Sequence, residues 1–218
     1  MTRPSLDTVI DALAADARPV TSLPPPALRA ISMLATIIVF GAAGVYLLSD
    51  AGALRELYSG REAAFGFEMF AILATGLLAI TAAFFASIPG RSRWWRTAPL
   101  PAFAAWLILS GAGCYRDLVR DGASGGAMGE SLHCLVFIVA TSALLAGPVV
   151  WRLSRASPIE PLPVALLGGL GIAAFSAFVL QFFHPFAVTF LDLAVHLVAI
   201  LAVVVVIALL NRRALGSA

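Results

Sequence analysis

Seven residues that could bind a metal or react with an oxidant lie within, or at the ends of, strongly apolar segments of this sequence. Thiol, imidazole and carboxylate groups are the ligands of Zn²⁺ and of softer divalent metals, and a thiol can also serve redox chemistry. Asp192 and His196 are four residues apart, so they share one helix face. No CxxC or HExxH motif is present. The seven residues are Glu68, Cys114, His133, Cys134, His184, Asp192 and His196.

The segments that position these residues are those of an integral membrane protein. Of 218 residues, 61% are hydrophobic and only 12% are charged, whereas soluble domains carry roughly 25% charged residues. A helix needs about 20 apolar residues to cross a bilayer. Six segments qualify, at approximately 29–49, 63–88, 98–115, 131–152, 163–183 and 186–210. We predict an all-α polytopic membrane protein with six transmembrane helices over 29–210 and tails at 1–28 and 211–218.

The arginines predict the orientation of these spans. All fourteen basic residues are Arg, and loops on the cytoplasmic side carry the Lys/Arg excess. Four Arg lie in the loops of one side, and ten lie in the two tails and the loops of the other: 3, 18, 29, 91, 93, 96, 152, 155, 212 and 213. We therefore predict a membrane protein with both termini in the cytoplasm and no direct nucleic-acid binding. All seven residues above then fall in the outer half of the membrane.

Several interpretations of the seven residues remain open at this point. Glu68, Asp192 and His196 could pair with one another inside the bundle, or the seven residues could form an outward-facing sensing or ligand pocket or line an ion pathway. A small metal or ion transporter or channel is the alternative function. It predicts embedded polar residues through both membrane halves, whereas here they occupy one. No recognisable pairing of nucleophile and base is present, which argues against an enzyme.

A short amphipathic helix is predicted within the cytoplasmic tail, followed by the Pro-rich tether TSLPPP. Its apolar residues recur at i, i+3, i+4 and i+7 and share one face; they are Leu6, Val9, Ile10 and Leu13. Asp7 and Asp11 lie off that face. Helices that lie on lipid usually carry Lys or Arg on the polar face. The acidic residues therefore favour docking in a basic-rimmed groove of a soluble partner over lying on the membrane surface.

Three stretches together resemble the NrsF-like family of bacterial membrane proteins. They are LDTVIDALAADARPVTSLPPP, FEMFAILATGLLAITAAFFASIPGR in the second span, and ESLHCLVF at the start of the fourth. The family consists of six-span anti-sigma factors, named as negative regulators of sigma factor F, and the resemblance covers essentially the whole chain. It implies a protein of the bacterial inner membrane that holds an extracytoplasmic-function sigma factor inactive at the cytoplasmic face. Two periplasmic-side cysteines would respond to oxidants or heavy metals and cause its release.

The resemblance also implies a sensor site, with one departure from the family pattern. Cys134 matches the first family cysteine, but the second falls in a His-Cys-Pro context that reads FHP here, so His184 occupies its position. The family disulfide therefore cannot form between these two positions. Cys114 could substitute at the same membrane face, or Cys134 and His184 could share a metal. Glu68 matches the family's acidic residue. No cofactor is required by the sequence, and zinc or another soft divalent metal is the candidate. The predicted sensor residues are Cys134, His184, Cys114 and His133.

Overall fold

Six α-helices make up most of the part of the chain that the computed structural model describes. That part comprises residues 6–16, 22–49, 63–121, 128–156 and 158–183, together with residues 194, 197, 198, 201, 202, 205, 206 and 209. In chain order the helices are α1 (Leu6–Ala15), α2 (Pro26–Leu48), α3 (Ala63–Ala86), α4 (Leu100–Asp121), α5 (Met128–Ser154) and α6 (Pro161–Leu180). A short 3₁₀ helix, Arg93–Arg96, precedes α4.

Five of these helices, α2 to α6, are long and apolar enough to cross a membrane. They confirm the first five predicted spans to within a few residues at most boundaries. The largest difference is at α4, which continues to Asp121 through the polar sequence YRDLVRD rather than ending at residue 115. A helix can continue in this way because charged side chains beyond the hydrocarbon are solvated while its backbone stays hydrogen-bonded. Most of the sixth predicted span lies outside the described residues.

Local sequence accounts for where the helices begin. Pro26 and Pro161 occupy the first helical positions of α2 and α6, where a proline lacks only an N–H that would have no partner in the helix. The chain leaves α3 through Pro89 and Gly90, and Gly90 has a φ of +77°, which a residue with a side chain rarely adopts. The two polar connections, α3 to α4 and α5 to α6, lie at the same end of the bundle, where Arg96 of the first forms a salt bridge with Glu160 of the second.

The centre of the bundle is the contact between α3 and α6, and α2, α4 and α5 pack around it. Helix α6 is apolar on all sides and buried along most of its length. Its glycines allow close approach: a Cβ at Gly171 would lie 2.7 Å from Ile80 side-chain atoms, and one at Gly168 would lie 3.1 Å from Leu153. Small residues let membrane helices approach closely, and α6 packs against α3 and α5 in this way.

Candidate functional site

The two ends of the bundle carry different polar groups. One end holds Arg29, Arg96 and Arg152, and we call it the arginine end. The other holds Cys114 and the first turns of α5, and we call it the cysteine end. Contacts between helices fix this arrangement, because the start of α2 meets the end of α5 and the start of α3 meets the later part of α4.

At the cysteine end, Glu68 is bound to α4. The hydroxyl of Ser110 donates a hydrogen bond to Glu68 Oε1, and Ser110 is 6% exposed. Cys114 lies one helical turn further along α4 and is 2% exposed, so it shares the buried face with Ser110. Glu68 and Cys114, which were both predicted as site residues, thus lie on the neighbouring helices α3 and α4. Sequence reasoning missed Ser110, and its signal is the SxxxC spacing inside an apolar segment.

Helices α5 and α6 are joined at the same end by apolar and polar contacts. Ile138 is fully buried and lies in one apolar cluster with Leu180, while the rings of Phe137 and Phe183 are 5.3 Å apart. One turn deeper, the Ser142 hydroxyl donates a 3.0 Å hydrogen bond to the hydroxyl of Ser176. The two helices are therefore in register from the cysteine end toward the middle of the bundle.

The remaining predicted sensor and metal residues are not described in full. His133 and Cys134 belong to α5, but their side chains lie outside the described part of the chain, as do His184, Asp192 and His196 altogether. Within the described residues, no three His, Cys, Asp or Glu side chains come together to hold a metal. The metal site thus stays a prediction that depends on residues beyond that part.

An apolar groove of about 650 Å³ runs between α2 and α5 with α6 as its floor. Ile37 and Gly41 of α2, Leu144 of α5 and Phe178 of α6 are among the residues that line it. Inside a bilayer such a surface contacts acyl chains. Its lining offers no cluster of polar groups for a soluble ligand.

Helix α1 presents its apolar stripe to solvent. Leu6 is 78% exposed and Leu13 is 69% exposed, and α1 has no buried residue. Val9 and Ile10 complete the stripe with exposed fractions of 41% and 53%. Its first turn carries Asp7, as expected for a helix N-terminus. The described part of the chain therefore leaves this face of α1 uncovered.

At the arginine end, a closed set of hydrogen bonds ties α2 to α5. Arg29 Nη2 donates to the main-chain carbonyl of Arg152 at 2.7 Å, and Arg152 Nη1 donates to the hydroxyl of Ser32. That hydroxyl donates to the carbonyl of Arg29 at 3.0 Å. The Arg29 guanidinium also lies 5.2 Å from the centre of the Phe84 ring. We call Arg29, Ser32 and Arg152 the α2–α5 latch.

The connection between α3 and α4 lies against the α5–α6 connection. Trp95 stacks on Phe85 with ring centres 4.2 Å apart, and Arg96 forms a 2.6 Å salt bridge with Glu160. A polar cavity of about 150 Å³ lies between the two connections. Trp94 remains 57% exposed. The arginine end thus combines cations with exposed aromatic rings.

Fold and site together define a multi-pass membrane protein whose N-terminal tail carries an uncovered amphipathic helix. The chain matches the family model NrsF, described as negative regulator of sigma F, over residues 13–216. Since this match covers nearly the whole chain, the protein belongs to the NrsF family, whose members are non-enzymatic negative regulators of a sigma factor. The matched region begins inside α1, at Leu13. No curated protein and no solved structure matches the chain.

Proposed function

We propose that this protein is a membrane anti-sigma factor that sequesters an extracytoplasmic-function sigma factor at the cytoplasmic face. An oxidant or a heavy metal acting at the periplasmic face releases it. The observation that carries the proposal is the uncovered apolar stripe of α1 in a chain that belongs to a family of negative regulators of a sigma factor. The excess of arginine supports a cytoplasmic location for the arginine end, and hence for α1.

The chemistry of α1 suits a groove with an apolar floor and a basic rim. Burial of one leucine contributes about 1.5–3 kcal/mol, and Leu6 and Leu13 are both largely exposed. Asp7 and Asp11 flank the stripe and would meet basic side chains of the partner. The exposed loop at 91–96, which carries three Arg and two Trp, offers a second contact beside it.

We place the sensor at Cys134 and His184. Ile138 lies one helical turn after Cys134 on α5, and it packs with Leu180, which lies four residues before His184. Cys134 and His184 are thus each four positions from one of these two residues, on the side toward the cysteine end, and this supports a pairing of Cys134 with His184 there. A thiolate and an imidazole can share zinc or a softer metal, and Cys114 supplies a second thiol at that end.

The described contacts supply a route from this sensor to the tail. Within α5, Cys134 and Arg152 are about 27 Å apart at 1.5 Å per residue. The α2–α5 latch joins the C-terminal end of α5 to the start of α2. The tail enters the membrane domain at that same start. Pro148 lies between sensor and latch and cannot donate to the carbonyl four residues earlier, so α5 can bend there.

The coupling that such a switch requires is modest. A 100-fold loss of affinity for the sigma factor corresponds to about 2.7 kcal/mol, within the usual range for allosteric coupling. The signal must therefore favour one of two arrangements of α5 by that amount.

Co-purification tests the partner part of the proposal. Tagged protein is expressed in membranes with the sigma factor, as wild type, as Leu13→Asp and as Ala15→Asp. Both variants add one carboxylate, but Leu13 lies on the stripe and Ala15 on the opposite face. We expect Leu13→Asp to weaken binding at least tenfold, since it loses the burial of one leucine, and Ala15→Asp to bind as wild type does. Equal binding by both variants would remove α1 as the docking element, and no binding by any form would refute the anti-sigma function.

Cells carrying a reporter of the sigma factor test the sensor part. Cys134→Ser and His184→Ala are expected to abolish release by oxidants or metals while the protein still holds the sigma factor. Cys114→Ser separates a two-thiol sensor from a Cys–His metal site, because only the first needs Cys114. If Cys134→Ser responds to every inducing stress as the wild type does, the sensor is not at this position.

A further inference from the structure

The α2–α5 latch brings together two guanidinium groups that no carboxylate of the described residues neutralises. Arg29 is 8% exposed, and its contacts are a main-chain carbonyl and the ring of Phe84. Arg152 is half-buried and contacts the hydroxyl of Ser32. Burial makes an uncompensated charge costly. The pair therefore gains from an anion supplied from outside the chain.

The acidic groups near the arginine end are already used or lie elsewhere. Glu160 is bound to Arg96. The acidic residues of α1, Asp7 and Asp11, are exposed on a helix that has no buried residue. Neither source supplies a counter-charge to the latch within the described chain.

The depth of the latch identifies the anion. Trp151 directly precedes Arg152 and is 54% exposed, and Trp94 is 57% exposed at the same end of the bundle. Exposed tryptophans of membrane helices lie at the level of the lipid headgroups. The phosphate of a phospholipid lies at this level, and in an anionic lipid such as phosphatidylglycerol no headgroup cation neutralises it. A guanidinium binds phosphate through two parallel hydrogen bonds, and basic pockets between membrane helices bind anionic headgroups.

We propose that Arg152, with Arg29 behind it, binds the headgroup phosphate of an anionic phospholipid where α2 and α5 meet at the arginine end. Part of Arg29's role is structural, since it caps the last turn of α5. This structural role of Arg29 does not neutralise the charge of the Arg152 guanidinium. The first turn of α2 adds to the attraction, because its N-cap residue Pro25 gives no side-chain cap and the helix N-terminus favours anions. The inference rests on the membrane-spanning fold and does not depend on the sigma factor.

The test compares bilayers that differ only in headgroup charge. The purified full-length chain is placed in nanodiscs of phosphatidylcholine alone or of an equimolar mixture with phosphatidylglycerol, and its thermal unfolding midpoint is measured. A third arm adds inorganic phosphate to the phosphatidylcholine discs. Retention of phosphatidylglycerol by the detergent-purified protein is followed by native mass spectrometry. The variants are Arg152→Gln and, as matched control, Arg155→Gln, which removes the same charge from a side chain that stacks on Trp151 at 4.0 Å.

We expect phosphatidylglycerol to raise the midpoint of the wild type and of Arg155→Gln. Arg152→Gln should lose most of this rise and bind the lipid about fivefold more weakly, as expected for one arginine at a membrane surface. A purely structural role for Arg152 would lower the midpoint equally in both bilayers. No headgroup effect on the wild type, or an equal loss in both variants, would overturn the proposal. A rise reproduced by inorganic phosphate would assign the site to free phosphate instead of lipid.

Discussion

Replacement of Gly171 by alanine probes the contact between α3 and α6 at the centre of the bundle. The new Cβ would lie 2.7 Å from Ile80 Cγ1 and Cδ1 and 3.1 Å from the main-chain nitrogen of Ile80. Ordinary contact begins at 3.4 Å, so the side chain is about 0.7 Å too close. A rotation of the Ile80 side chain can relieve the first two contacts but not the third. The helices must therefore separate slightly, and overpacking of this kind costs about 1–3 kcal/mol.

The assay is reversible unfolding of the purified protein in mixed micelles, with Gly44→Ala as the control. A Cβ at Gly44 meets nothing within 4 Å. The free energy of unfolding of this variant should therefore equal that of the wild type or slightly exceed it, because alanine has the higher helix propensity. Ile80→Ala supplies a second check. Ile80→Ala removes Cγ1 and Cδ1, the two atoms closest to the new Cβ. It should therefore lower the free energy of unfolding less in the Gly171→Ala background than in the wild type. Equal stability of Gly171→Ala and the wild type would refute the close approach of α3 and α6.

Two further contacts give smaller expected effects. Ser142→Ala removes the hydrogen bond to Ser176, and we expect the free energy of unfolding to fall by about 0.6 kcal/mol, the average for such bonds between membrane helices. If the losses of Ser142→Ala and Ser176→Ala are additive in the double variant, the two hydroxyls do not interact. Glu160→Gln breaks the exposed salt bridge with Arg96, and the unfolding free energy should change by less than about 1 kcal/mol and not at all in high salt. A larger effect that persists in high salt would mean that the pair supports the two connections in another way.

Hydropathy and periodicity predicted most of the helices but not which helices pack against one another. Five spans were confirmed because a lipid-exposed backbone must be helical, so apolar length alone reports each span. The amphipathic stripe of α1 was also readable, since its period is local. Helix α6 shows the limit: it is apolar on every side, so no periodicity distinguishes the face that meets α3 from the face that meets α5. Only its glycines indicated close packing.

The polar contacts that matter most depend on how helices are rotated about their axes. From the sequence alone, Arg29 is expected at the head of the first span and Arg152 among the loop charges that set the orientation. In the structure α2 begins three residues earlier, at Pro26, so Arg29 lies within the helix and is buried against α5. The start was marked in the sequence, because the last proline of TSLPPP suits the first helical position. What carried no local signal was the meeting of residues 29 and 152, which are 123 positions apart. Such a pair follows from the packing of α2 and α5, which brings two charges from opposite parts of the chain together.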